Sequence, residues 1–391
     1  MPKHEIWELH SMQAASLSTK IAMTKERIRE WVKHYGEDKV YISFSGGKDS
    51  TVLLHIAREI YPNIPAVFID VPTQYPELRQ FAQTFDNVEV IKPKKSFMQV
   101  CDEYGFPFIS KEVSERVYYA HKYLTWWRDQ RSALRTGQDR TGQDRPTDYS
   151  LKKFQGLKKT ESIPDNWMEI LDQFDGKGSW KIKECLGKTK DKNGKRSSYD
   201  YRNYLYLVVA PFSISNRCCS IMKKNPAHSY TKKTGRQPIT ATMASESRLR
   251  TQKWLQNGCN AFDIKQPVSN PMAFWTEQDV LLYIYQYKIP ICSVYGEVVK
   301  ENEIDGQMDL EDLGIFDLGR PTLKTTGCNR TGCMLCGFGC HLEKPGHGRL
   351  EELKKTHPKM YDLLDVVKNN GVTMRQAIDW INEHGGLDIR Y

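Results

Sequence analysis

Two groups of residues in this 391-residue chain have the types and spacing to do chemistry. The first is the run Ser45, Gly46, Gly47, Lys48, Asp49, Ser50, Thr51. Its glycines let backbone N–H groups turn inward and approach an anion closely. The hydroxyls of Ser45, Ser50 and Thr51 add donors, and Lys48 adds a positive charge. Asp49 has no direct place against a phosphate; its carboxylate suits holding the loop or organising Mg²⁺. The spacing is not the Gly-x4-Gly-Lys-Ser/Thr of Walker loops. Lys48, Asp49 and Ser50 are the candidate catalytic residues, and Ser45 to Ser50 the candidate nucleotide cradle.

The second group is made of cysteines. The chain has ten, and a charged start, MPKHEIWELH, without an apolar leader predicts a reducing compartment and free thiols. Cys101, Cys185, Cys259 and Cys292 are isolated and suit small buried apolar filler. Cys218 and Cys219 are adjacent, and Cys328-x4-Cys333-x2-Cys336-x3-Cys340 sits among Gly327, Gly332, Gly337 and Gly339. Glycines permit the tight loop that converging thiolates need. The C-x4-C-x2-C part matches a ferredoxin-type spacing, while C-x2-C with further cysteines also suits zinc. Cys328, Cys333, Cys336 and Cys340 form one local ligand set; His341 reads as a solvated loop residue.

The elements around these residues follow from periodicity. Residues 1–37 read as a helical segment, with Leu17, Ile21, Ile28, Trp31 and Val32 at helical spacing before Gly36. KVYISFS (39–45), AVFID (66–70) and VEVIKP (88–93) read as strands, and TVLLHIAREIY (51–61) as a buried helix. Strand, glycine turn, helix, strand is the βαβ pattern of an α/β, doubly wound, mostly parallel sheet. That core is expected over 38–110 and again over 205–300, starting with a strand at LYLVVAP (205–211). RLRTQKWLQNG (248–258) reads as a helix closed by glycine, and TEQDVLLYIYQYKI (276–289) as one capped by Thr276. Residues 111–204 form a basic, aromatic insertion with a tandem RTGQD at 135–144. It is a solvated insertion or a surface for single-stranded or folded nucleic acid. Residues 301–391 form a cysteine-rich loop and C-terminal helices. No apolar run approaches the roughly 18–20 residues of a membrane span. The net charge of +9 is compatible with anionic partners. A cytoplasmic protein is expected, with a homo-oligomer compatible.

The glycine loop resembles the SGGxDS of PP-loop ATP pyrophosphatases, whose fold is that of the adenine nucleotide alpha hydrolases. That family cleaves ATP between its α- and β-phosphates, and its pattern places Asp70 on the adenosine or metal side. More of the chain is similar to phosphoadenosine-phosphosulfate and adenosine-phosphosulfate reductases. FIDVPTQYPEL (68–78) resembles DTGxxFPET through Asp70, Tyr75, Pro76 and Glu77. Cys218–Cys219 with Lys223 and Pro226 resembles CCxxxKxxP, and Glu246–Ser247 with Arg250 resembles ESxxR. NPMAFWTEQDVLLYI (270–284) resembles NPxxxWTxxDVxxYI, and GCMLC (332–336) the GCxxC of the cluster-bearing branch. GHGR (346–349) is like the basic stretch that follows. The match covers about 12–110 and 205–350.

The resemblance implies a [4Fe–4S] cluster on Cys218, Cys219, Cys333 and Cys336, and an adenine nucleotide bound with Arg250 near it. Two departures bear on activity. The arginine expected three residues before the ES glutamate is Met243, and no ECGxH, the source of the family's nucleophilic thiol, occurs. The expected function is therefore ATP-dependent sulfur transfer, with ATP and Mg²⁺ bound and tRNA, DNA or a small molecule as acceptor. Sulfonucleotide reduction and a nucleotide-sensing module without turnover are the alternatives.

Overall fold

A computed structural model of the chain describes residues 3–135, 164–176, 178–301 and 322–391. The tandem repeat beyond Arg135, and with it much of the basic insertion, lies outside the described residues. The chain folds into two compact units, Met1–Pro93 with Asn225–Gly332, and Lys94–Lys224 with Cys333–Tyr391.

In the first unit, β1 (Val40–Phe44), β2 (Ala66–Ile69) and β3 (Val88–Ile91) are the three strands expected from sequence. With β4 (Phe108–Ile109) belonging to the second unit, the sheet continues through β5 (Gln237–Ile239), β6 (Asn260–Ala261) and β7 (Val268–Ser269). The order is β3-β2-β1-β5-β7-β6, parallel throughout except for the antiparallel β6–β7 edge. Ile42 of β1 stands opposite both Ala66 and Ile239.

Side chains alternate across a strand, and both faces of β1 are covered. Val40, Ile42 and Phe44 point into one core with Leu53 and Ile56 of the helix Lys48–Ile60, Trp31 of the helix Leu17–Tyr35 and Tyr283 of the helix Glu277–Tyr287. Tyr41 and Val67 point the other way and meet Tyr230 of the helix Asn225–Thr234. The Tyr41 and Tyr230 rings meet edge to face at 5.0 Å. Each such aliphatic side chain taken from water contributes about 1.5–3 kcal/mol. β2 and β3 lie on one side of β1, and β5 and β7 on the other. The loop after β1 therefore opens where the strand order reverses, the position at which doubly wound sheets bind ligands.

One buried ion pair fixes the helix Glu277–Tyr287. Thr276 caps it, accepting from the Asp279 N–H at 3.3 Å while the Asp279 carboxylate accepts from the Thr276 N–H at 2.8 Å. The same carboxylate takes Lys20 Nζ of the helix Leu17–Tyr35 at 2.5 Å, both side chains being fully enclosed.

In the second unit, the helix Lys111–Arg135 packs with the helix Ser179–Cys185 and with the 3₁₀ helix Arg202–Val208. The last corrects the strand expected over 205–211. A short apolar run is ambiguous by periodicity alone, and here Tyr206 stacks on Trp380 of the helix Met374–Gly385 at 6.0 Å. β4 pairs in parallel with β10 (Gly337–Phe338), taking β8 (Val298–Lys300) and β9 (Leu323–Thr325) as the antiparallel pair of the first unit. The β4–β10 contact pins the cysteine loop: a Cβ on Gly337 would stand 2.2 Å from the Phe108 ring. Among the described residues no helix is long and apolar enough to cross a membrane.

Candidate functional site

β1 ends at Phe44, and the chain turns through Ser45, Gly46 and Gly47 into the helix Lys48–Ile60. Gly46 has φ of +72°, and a Cβ there would lie 3.0 Å from the Leu78 carbonyl oxygen. Ser50 Oγ donates to the Gly47 carbonyl at 2.9 Å and accepts from the Ser45 N–H at 3.2 Å. Thr51 Oγ1 donates to the same carbonyl at 3.0 Å. These bonds hold the turn so that the first N–H groups of the helix, which have no partner within it, point into a pocket with the positive end of the helix dipole.

The pocket is lined by Ser45, Gly47, Lys48 and Asp49 of this turn, and by Met243, Glu246, Glu277, Tyr295, Asn329, Arg330 and Thr331. Lys48 Nζ donates to Glu277 Oε1 and to the Asn329 carbonyl, each at 2.6 Å. Glu277 is at the first turn of its helix, brought there by the Thr276 cap. Tyr295 and Thr331 share a hydroxyl hydrogen bond of 2.6 Å. Glu246 binds Arg250 through Oε2 and meets Arg330 through Oε1 at 3.3 Å. Burial lowers the Arg250 pKa, an effect the nearby Arg330 charge reinforces.

Asp49 is the unbalanced member. Its Oδ1 is buried and has no hydrogen-bond partner. Burial raises its carboxyl pKa, and Glu277 adds to the rise while Lys48, Arg330 and Arg250 oppose it. An orphaned carboxylate oxygen beside a second carboxylate, in a phosphate cradle, fits a Mg²⁺ ion, which takes one or two protein carboxylates plus phosphates and water.

The clustered thiols divide between the units. Cys218, Cys219, Cys333, Cys336 and Cys340 belong to the second, and Cys328 to the first. Cys218 and Cys219, in the short helix Arg217–Cys219 ahead of a π-helical turn at Ser220–Lys224, share a side-chain hydrogen bond. That bond raises the Cys218 pKa, with burial adding to it. It lowers that of Cys219, helped by Lys111, Lys223 and Lys224. Cys336 lies within electrostatic reach of Cys218, Cys219 and Cys333. Burial raises the Cys336 pKa against the pull of Arg349. Arg349 also donates to the Cys336 carbonyl at 2.6 Å, holding the loop. Cys340 Sγ donates to that same carbonyl at 3.5 Å, and burial raises its pKa to about 12. Cys328 instead packs with Cys292 and Tyr295; burial raises its pKa to about 11, opposed by Lys48. All ten cysteines are free. Cys218, Cys219, Cys333 and Cys336 offer the donor type of an iron–sulfur centre. Among the described residues, no three His, Cys, Asp or Glu side chains close on a common point as metal ligands.

A family model described as "Phosphoadenosine phosphosulfate reductase domain" matches residues 39–122 and 159–337, well over half of the chain. The chain belongs to that family. Among curated proteins it is similar to a probable FAD synthase of Caenorhabditis briggsae, 34% identical over 95 residues, which are 22% of this chain and 18% of that protein. It is also similar to a phosphoadenosine 5'-phosphosulfate reductase of Xylella fastidiosa, 32% identical over 71 residues, 17% of this chain and 30% of that one. The chain thus spans less than a third of the length of either relative. A crystal structure of phosphoadenylyl-sulfate reductase from Candida auris in a phosphate complex matches with a TM-score of 0.33 and 13% identity, over 76% of this chain and 87% of that one.

For a phosphoadenosine phosphosulfate reductase family member, the expected site residues do not all line the pocket. Ser45, Gly47, Lys48 and Asp49 line the pocket, with Gly46 and Ser50 shaping its turn. Arg250 reaches it through Glu246, whereas Asp70, just past β2, pairs with Arg79 at 3.3 Å and lies outside the lining. Five of the clustered thiols belong to the second unit, while Cys328 feels the charge of Lys48 within the first. Sequence reasoning missed Glu277, Tyr295, Asn329, Arg330 and Thr331. Glu277 could have been found from Thr276, because a capped helix N-terminus presents its first turn. The run 329–331 offered only one signal, an arginine between two cysteines.

Proposed function

We propose that this chain binds ATP with Mg²⁺ in the pocket after β1 and uses it for ATP-dependent sulfur transfer to a nucleic acid or small acceptor. The observation that carries the reading is Asp49: an unpartnered buried carboxylate oxygen at the mouth of a helix-terminated glycine turn. The turn N–H groups, with Ser45 and Ser50, would hold the phosphates, and Asp49 and Glu277 would hold the ion. Lys48 would leave Glu277 for the phosphate oxygens. The acceptor oxygen would attack the α-phosphorus, forming an adenylate and releasing pyrophosphate; a sulfur nucleophile would then displace AMP. A [4Fe–4S] centre on Cys218, Cys219, Cys333 and Cys336, with zinc as the alternative metal, would supply electrons or a bound sulfur. Residues 111–204 are the proposed surface for a tRNA or DNA acceptor, and the two-unit chain is compatible with a homo-oligomer.

Anaerobic purification with iron and sulfide analysis, followed by pyrophosphate release from ATP with cellular RNA or DNA, tests this. Pyrophosphate without sulfite from adenosine phosphosulfate is the expected result. Sulfite release with a thiol donor, and no pyrophosphate, would refute it. The family match favours that second reading, sulfonucleotide reduction. Against it stands Met243, an uncharged side chain in the pocket wall where the reductase pattern has an arginine.

A further inference from the structure

We infer that Arg330 grips the distal anionic end of the bound adenine nucleotide, the β- and γ-phosphates of ATP or the sulfonyl end of a phosphosulfate. The inference rests on reading the pocket as a nucleotide site. Met243, in the wall, carries no charge, and Lys48 must give up its resting bonds to Glu277 and the Asn329 carbonyl before it can reach a phosphate. Arg330 lines the same pocket from a segment more than eighty residues away in sequence from Glu246. Its side chain is 61% exposed and, among the described residues, meets a single oxygen, Glu246 Oε1, at 3.3 Å.

Glu246 is shared. Its Oε2 binds Arg250 and accepts from the Met243 N–H at 3.2 Å. One carboxylate facing two guanidinium groups leaves a net positive charge at this wall, and an arriving anion neutralises it. A guanidinium also presents paired N–H donors that match two oxygens of a phosphate or sulfonate. The backbone on both sides of Arg330 is anchored, by the Asn329 carbonyl on Lys48 and by the Thr331 hydroxyl on Tyr295. The exposed side chain can therefore turn onto a ligand while its Cα stays in place, which limits the entropy lost on binding.

The test is calorimetric titration of ATP, adenosine phosphosulfate and AMP, each with Mg²⁺, into the full-length protein and its Arg330→Ala, Arg330→Lys and Lys48→Met variants. Arg330→Ala should weaken ATP and phosphosulfate binding by about 10- to 100-fold, the range for charge-assisted hydrogen bonds. AMP, which lacks a distal group, should change by less than about threefold, and Arg330→Lys should fall between wild type and Ala. Loss confined to one of the two larger ligands identifies whose distal end is held. Equal weakening of all three ligands, or no weakening in Arg330→Ala, would overturn the inference; if Lys48→Met still loses ATP, the nucleotide reading survives it. Wild-type protein that binds none of the three would overturn both.

Discussion

Replacing Asp49 with Asn should make the empty protein more stable and the enzyme inactive. In the folded chain Asp49 keeps a buried oxygen without a partner, and burial lifts its pKa above the ordinary 3.8. An unsatisfied buried polar group costs about 1–3 kcal/mol, more when charged. Asparagine keeps the shape and removes the charge but still buries an unpaired amide, so a gain of about 1 kcal/mol is expected at pH 7. For a unit of about 200 residues this is roughly 2–4 °C in midpoint for each kcal/mol. The pH dependence has a definite sign. A carboxyl whose folded pKa is raised is penalised fully above that pKa, and not at all once both states are protonated. The advantage of Asp49→Asn should therefore shrink as pH falls through the folded value and vanish below about 3.8. Thermal unfolding between pH 3.5 and 8, with and without Mg²⁺ and ATP, is the measurement. Wild type should be stabilised by the two together and Asp49→Asn should not. If Asp49→Asn lowers the midpoint at pH 7, Asp49 is a structural brace of the loop, and the metal role assigned to it is wrong.

Three further outcomes follow from the geometry. Lys20→Met strands the enclosed Asp279 carboxylate and should cost about 3–5 kcal/mol in denaturant unfolding; a loss under about 1 kcal/mol would mean that water reaches the pair. Gly46→Ala forces a side chain into positive φ against the Leu78 carbonyl, so stability should fall by about 1–2 kcal/mol and ATP binding should be lost in calorimetry. Serine at Cys218, Cys219, Cys333 or Cys336 should each abolish iron and sulfide uptake in anaerobic reconstitution, while Cys328→Ser should retain both. Retention in Cys218→Ser with loss in Cys328→Ser would instead favour the contiguous four-cysteine set.

What the sequence disclosed and what it hid divide along chain distance. The glycine turn, the strands at β1, β2 and β3 and the Thr276 cap are local signals, each written within about ten residues, and periodicity and capping chemistry suffice to read them. The pocket wall is different. Glu277, Tyr295, Asn329, Arg330 and Thr331 reach it only because the sheet order brings residues far apart in sequence to one end of β1, and no local pattern encodes that. The cysteines show the same limit. Their spacing could not say which thiols become neighbours: Cys328 packs with Cys292 and Tyr295, and Cys336 lies within electrostatic reach of Cys218 and Cys219. At LYLVVAP the error was one of period: seven apolar-rich residues fit a strand or a turn of 3₁₀ helix, and Trp380 decides for the helix.

The two 2.6 Å bonds of Lys48 bear on what this pocket ignores inside a cell. An ammonium already satisfied by a carboxylate and a carbonyl offers little to a lone inorganic phosphate or sulfate, since each new contact merely replaces an old one. A nucleotide brings an adenosine surface and an accompanying cation to offset that exchange. At Lys48, discrimination is thus set by an internal competitor rather than by a tighter fit.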